Sequence, residues 1–167
     1  MTTGSVLGIR ETRRIVGDYV LTLDDYIARR SFPDEICRNA YFIDVHHSLK
    51  QAAAHIQERA DGIAVPTLTY GAGESHGIPY RCLTPVGLRN VLVAGRSISC
   101  DRPVQGSVRV MPVCLTTGEA AGMAAGMVTR RGNNDVRALD VGDLRRRLCE
   151  EGAYLPEPAV APALETI

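Results

Sequence analysis

Residues 90–128, NVLVAGRSISCDRPVQGSVRVMPVCLTTGEAAGMAAGMV, limit the possible folds more than any other part of the chain. Residues 91–95 are a continuous apolar run ending on glycine, the pattern of a strand covered on both faces. A polar loop with Arg96, Asp101, Arg102 and Pro103 follows, and the spacing then predicts one long helix from about Val108 to Thr129. In open α/β sheets ligands sit beyond the carboxyl ends of strands, and a helix start adds unpaired N–H groups and a positive dipole end. The unit therefore predicts a place for an anionic or electron-rich group. Gly118, Gly122 and Gly126 recur every four residues along the helix, beside Ala121 and Ala125. Each helical glycine costs about 1 kcal/mol relative to alanine, roughly 3 for the three, and close approach of another backbone is the usual compensation. That neighbour is either part of this chain or a nucleotide-binding domain, and the glycines alone leave both open.

Shorter signals fill the rest. Residues 12–21 read as a strand, and Thr22 with Asp25 makes a capping box for a short helix that buries Leu23, Tyr26 and Ile27. Pro33 fits the first turn of a second short helix. Residues 41–46 are strand-like. Ser48 and Gln51 form another capping box, before Leu49, Ala52, Ala53, Ile56 and Ala60 at helical spacing, and Gly62 stops that helix. Pro66 demotes residues 63–70 to an edge strand, and a loop follows. Residues 78–83 alternate, with Arg81 opposite Tyr80 and Cys82. A last helix runs from an Asp140 cap to Gly152, with Val141, Leu144 and Leu148 inward and Arg145, Arg146 and Arg147 mostly in water. The proline-rich tail is extended. Strands and helices intermingle, so the class is α/β or α+β.

Length and composition exclude several functions. The 167 residues suit one compact domain. Nineteen basic and nineteen acidic residues cancel, which argues against nucleic acid or a membrane surface as partner. Five scattered cysteines without a C-x-x-C pair predict reduced thiols and a cytoplasmic protein. No secretory leader or membrane span is legible.

Several blocks in order carry a resemblance. NVLVAGRSIS and GSVRVMPVCLTTGEAAGMAA are similar to the C-terminal flavin-contacting region of FAD-dependent oxidoreductases, in the glutathione-reductase-like and succinate-dehydrogenase-like group. LGIRETRRIVGDYVLTLDDY, YFIDVH and IPYRCLTP resemble the preceding substrate-side sheet and its return to the FAD domain. The resemblance spans about residues 7–130, with GAYLP also fitting. It implies four parts: residues 1–88 closing the substrate side, 89–131 contacting flavin, 132–155 a C-terminal helix, and 156–167 a tail. It also implies that the fold is incomplete without an N-terminal βαβ unit carrying G-x-G-x-x-G. Gly71, Gly73 and Gly77 do not supply that motif, because Pro79 follows them and no helix does.

By this resemblance Gly95 and Arg96 pass beside the pyrophosphate and ribityl chain, and Gly106, Ser107, Val108 and Arg109 line the approach to the flavin. Asp101 would bond a ribityl hydroxyl or pair locally with Arg102. FAD is expected as cofactor, held only with the N-terminal half, together with a small-molecule substrate. Self-association or an upstream-encoded N-terminal half is the expected partner. His46 and Arg81 are the catalytic candidates, His46 as an acid–base group beside Asp44 and Arg81 as a carboxylate grip. His76 is a further acid–base group, and Arg10, Arg13 and Arg14 are further arginines on mixed faces. His46, His47 and His55 lack metal-site spacing, so no metal is expected. The function implied is hydride transfer between a small organic substrate and flavin in the intact enzyme. A truncated remnant without flavin is the alternative, and a polysaccharide (xanthan) lyase a further one.

Overall fold

A computed structural model describes residues 10–11, 13–44, 69–132 and 134–156. The expected helix at 49–60, its capping box and the edge strand up to residue 68 lie outside these residues, as does His46. The elements in chain order are α1 (Leu23–Ile27), β1 (Glu35–Asn39), β2 (His76–Pro79), α2 (Arg102–Val108), α3 (Met111–Arg130) and α4 (Val141–Glu150). Three 3-10 turns lie at Tyr80–Cys82, Gly95–Ser97 and Val136–Ala138. This is a helical assembly around a two-stranded antiparallel sheet, the mixed α/β composition that the sequence implies.

The sheet pairs segments far apart in the chain. Asn39 lies opposite His76 and Glu35 opposite Pro79, with a register shift between Glu35 and Cys37. The helix expected at Pro33 is instead a turn leading into β1. Pairing with β2 buries both faces of this short segment, and tertiary contacts override the local first-turn signal. Glu35 is completely buried: its carboxylate takes Arg38 at 3.0 Å and the Phe32 N–H at 3.1 Å, with Arg145 of α4 at 3.9 Å. Arg145 also donates to the Glu35 carbonyl at 2.6 Å, so it is not in water as its position among three arginines suggested. Arg146 and Arg147 are exposed as expected.

Residues 13–21 make two isolated bridges, Gly17 to Pro85 and Leu21 to Cys100, rather than a strand. Residues 41–44 also join no ladder. The run at 91–94 is half-buried, with the Val93 N–H donating to Leu83 O at 2.9 Å, and belongs to no described sheet. Residues 13–21 thus exchange scattered backbone bonds with residues 81–86 and 97–101, while 41–44 and 91–94 have no ladder partner among the described residues.

The expected long helix is α3, starting at Met111 rather than near Val108, and a separate short helix, α2, occupies the segment expected as a loop before it. Pro112 has no N–H, and its ring would collide with the carbonyl four residues back, so a helix entering from Val108 cannot pass through it. The break falls at Arg109 and extended Val110, and Pro112 sits in the first turn of α3. Val113, Thr117, Ala120, Ala124, Met127 and Val128 form the buried face of α3, at helical spacing. Leu21, Tyr26, Ile43, Ile78, Leu83, Ile98 and Leu144 are among the fully buried residues that complete the core.

The glycines point the other way. A Cβ on Gly118 or Gly122 would meet nothing within 4 Å, and Met111 and Leu115 on the same side of α3 are exposed. Packing of the stripe inside this chain is therefore not found among the described residues. In the isolated chain Gly122→Ala removes only glycine's helical penalty, about 1 kcal/mol, and should raise Tm by roughly 2–4 °C. Thermal unfolding checks it, and a fall in Tm would mean that the stripe is covered.

Candidate functional site

Two helix starts lie close together in sequence and differ in what they leave open. At α2 the cap is Asp101, whose Oδ1 accepts the Val104 N–H at 2.9 Å and whose Oδ2 accepts the Leu23 N–H at 2.6 Å. Burial raises its pKa above the usual carboxylate value, against the pull of those two amides and of Arg14. Both oxygens are occupied by the fold, and the carboxylate fills the anion position of α2. No ion pair with Arg102 is formed among the described contacts.

At α3 the cap is Val110, which has no side-chain hydrogen bond to give. The first N–H groups of any helix lack intrahelical acceptors and Pro112 has no N–H, so the donors of this start are Met111 and Val113, for which no backbone acceptor is found among the described residues. Cys114 N already bonds Val110 O at 3.0 Å. This helix has 20 residues, long enough for the positive end of its dipole to act at the same place.

The 95–97 turn packs against this start. Gly95 has φ +72°, the left-handed region that favours glycine, and a Cβ there would lie 3.8 Å from Cys114 Sγ. Its N–H donates to Thr117 Oγ1 at 3.0 Å. Arg96 is exposed, and its charge opposes the rise that burial produces in the Cys114 pKa. A groove of about 290 Å³ opens beside the helix start, lined among others by Asn39, Tyr41, Val110, Pro112, Val113 and Thr116.

Of the residues expected at the cofactor, Gly95, Arg96 and Arg109 come together near the start of α3. Arg109 donates to Asp44 O at 2.6 Å, and its own carbonyl accepts from Cys114 Sγ at 3.6 Å. Gly106, Ser107 and Val108 are buried in α2. Ser107 accepts from Asn39 at 2.7 Å and donates to Tyr41 O at 2.6 Å, holding β1 to α2. The helix start expected near Val108 lies at Met111, where Pro112 was the signal for it, and Thr117 carries no signal in the sequence.

The acid–base and arginine candidates lie elsewhere. Arg81 forms a two-pronged ion pair with Asp34, at 2.8 and 3.1 Å, and its guanidinium lies 4.9 Å from the Tyr19 ring centre. Arg14 donates to Cys100 O at 3.0 Å, Arg10 lies 4.0 Å from Asp44, and Arg13 is exposed. His76 is fully buried, with Nδ1 bonded to the Tyr70 hydroxyl and no partner at Nε2 among the described residues. Burial, then the charges of Arg38 and Arg29, push its pKa down to about 3, so the ring is neutral at physiological pH. All five cysteines are free thiols, and burial pushes Cys37 and Cys100 up to about 12. No metal-binding cluster occurs among the described residues, and none of their helices is long and apolar enough to cross a membrane.

The family model described as FAD dependent oxidoreductase matches residues 1–148. No curated protein and no solved structure matches the chain.

Proposed function

The chain belongs to the FAD dependent oxidoreductase family, and from that membership we propose that it supplies the flavin-side wall of an FAD site, centred on the start of α3. The observation that carries this reading is the contrast between the two helix starts. One is closed by its own carboxylate, and the other leaves backbone donors beside a left-handed glycine turn and an arginine. An electron-rich edge fits the second.

In this reading the Met111 and Val113 N–H groups would hold the flavin's pyrimidine edge. Gly95 gives the backbone room to approach, and Arg96 places positive charge beside phosphate or ribityl oxygens. Arg109 and the buried trio Gly106, Ser107 and Val108 hold the break between the helices in shape, and Asp101 locks α2 below it. FAD, when bound, carries out the redox chemistry by exchanging hydride with a small organic substrate. The adenosine half would be gripped outside these 167 residues, because no strand, G-x-G-x-x-G and helix unit occurs among them. Residues 91–94, half-buried and in no ladder among the described residues, support a partner segment there, on a separate chain or through self-association.

The test is an NMR titration of the 15N-labelled chain with free FAD. The amides of Gly95, Arg96, Met111, Val113 and Cys114 should shift, while Val104, closed by Asp101, should not. Binding should be weak, so that the chain leaves gel filtration colourless. Absence of shifts at the start of α3 overturns the reading and favours the flavin-free remnant.

A further inference from the structure

We infer that Thr117 is a positioning residue for this site: its buried hydroxyl ties the Gly95–Ser97 turn to the start of α3. The inference rests on the flavin reading above. Thr117 is fully buried on the inner face of α3. A threonine hydroxyl has one proton and two lone pairs. The proton goes to Val113 O at 2.7 Å, the shorter of its two carbonyl contacts, and a lone pair accepts the Gly95 N–H at 3.0 Å. One oxygen thus joins the arginine-bearing turn to the residue that offers a first-turn N–H.

Two further observations separate this from ordinary packing. A threonine that bonds back to the carbonyl one turn earlier slightly destabilises and bends its helix, so the helix itself gains nothing from it. And at Gly95 the nearest atoms to an added Cβ, Cys114 Sγ and Cβ, lie at 3.8 and 3.9 Å, ordinary contact distances. Side-chain contacts at Gly95 itself are thus ordinary, and the other backbone ties of the turn, from Ile15 N–H to Ser97 O at 3.0 Å and from Ile98 N–H to Gly95 O at 3.4 Å, do not reach α3. The bond to Thr117 orients its N–H inward, and with φ at +72° the chain carries Arg96 outward beside Cys114. Without the bond, the Gly95 end of the turn would lose its hydrogen bond to α3, and a ligand touching both Arg96 and the helix donors would have to fix their spacing as it bound.

The test uses the full 15N-labelled chain with free FAD as probe, comparing wild type, Thr117→Val, Thr117→Ser and, as a stability control remote from the site, Leu144→Ala. In the wild type the Gly95 amide should exchange with solvent slowly. Thr117→Val should speed that exchange and weaken FAD binding on the order of tenfold, the loss of one hydrogen bond's ordering. Thr117→Ser should restore both, and Leu144→Ala should lower stability with FAD affinity unchanged. Wild-type FAD affinity in Thr117→Val overturns the positioning role alone. An equal loss of affinity in Leu144→Ala also overturns it, by tracing the effect to stability. No FAD response in the wild type overturns the flavin reading, and this role with it. Should the valine variant not fold, Gly95 exchange in the wild type decides: a rate equal to that of free peptide shows that no such bond exists.

Discussion

Gly77→Ala should destabilise the chain by about 3–5 kcal/mol, a large share of the 5–15 kcal/mol typical of a domain. A Cβ at position 77 would stand 2.0 Å from Glu35 Oε2, far inside contact distance. The carboxylate is at the end of a flexible side chain, but it has nowhere to go. It is fully buried and held by the Phe32 N–H and by Arg38, which also bonds Ser31 and Ser75. Moving it would leave Arg38 and Arg145, both largely buried, without their counter-charge. Breaking a buried ion pair by displacing one partner is what carries the stated cost. Urea unfolding of Gly77→Ala, alone and combined with Glu35→Ala, checks the cause. The two changes should be strongly non-additive, because the alanine at 77 has nothing to strike once the carboxylate is gone. A loss under about 1 kcal/mol for Gly77→Ala alone would mean that Glu35 swings aside easily.

The second large effect is a dependence on pH. His76 is pushed down to about 3 in the fold, against an ordinary histidine value of 6.5. Between those values the unfolded chain binds a proton that the folded chain does not. Stability contributed by the neutral ring is therefore complete above about pH 6.5 and falls as pH drops toward 3, by about 1.4 kcal/mol per pH unit. The groups around the ring account for the direction. Tyr26 and Tyr70 enclose it, and Tyr70 is itself raised by burial. Arg38 and Arg29 add positive charge, and Asp25 opposes them only in part. Denaturant midpoints between pH 7 and 4 should fall in the wild type and flatten in His76→Gln. Parallel slopes for the two proteins would place the acid sensitivity elsewhere.

What was legible in the sequence is what acts locally. The Thr22–Asp25 box forms as read, with the Thr22 N–H and hydroxyl both on Asp25, and Asp140 and Gly152 bound the last helix. These signals operate within a few residues and need no distant partner. The strand at 35–39 was not legible, because what makes Glu35–Asn39 a strand is His76–Pro79, and no local pattern announces that pairing. Conversely, residues 13–21 and 91–94 carry good strand composition and form no ladder among the described residues, since composition marks a surface that suits pairing and does not supply the partner. Arg145 was misplaced for a similar reason. On α4 it stands between buried Leu144 and exposed Arg146, and only the fold brings the Glu35 carbonyl within 2.6 Å.

The candidate site was half legible. Gly95, Arg96 and Arg109 were read as cofactor contacts and lie near one helix start. Asp101, Ser107 and Val108 were read in the same way, and their side chains hold the surrounding elements together. The difference follows from the short helix Arg102–Val108, which takes Asp101, Ser107 and Val108 into its own cap and buried face and leaves the start of the long helix at Met111.

Asp101 has a consequence for how the protein is made. One carboxylate closes the starts of α1 and α2, and its partner at Leu23 lies 78 residues earlier in the chain. With five residues, α1 is far too short to persist in water without tertiary support. During synthesis the segment from Leu21 to Ile27 therefore waits, unstructured, until Cys100 and Asp101 have left the ribosome and can bridge and cap it. Until that moment Tyr26 and Leu21, later fully buried, stay exposed to chaperones and proteases. A pause in translation before Asp101 has emerged from the ribosome would lengthen that exposure, and one after its emergence would not.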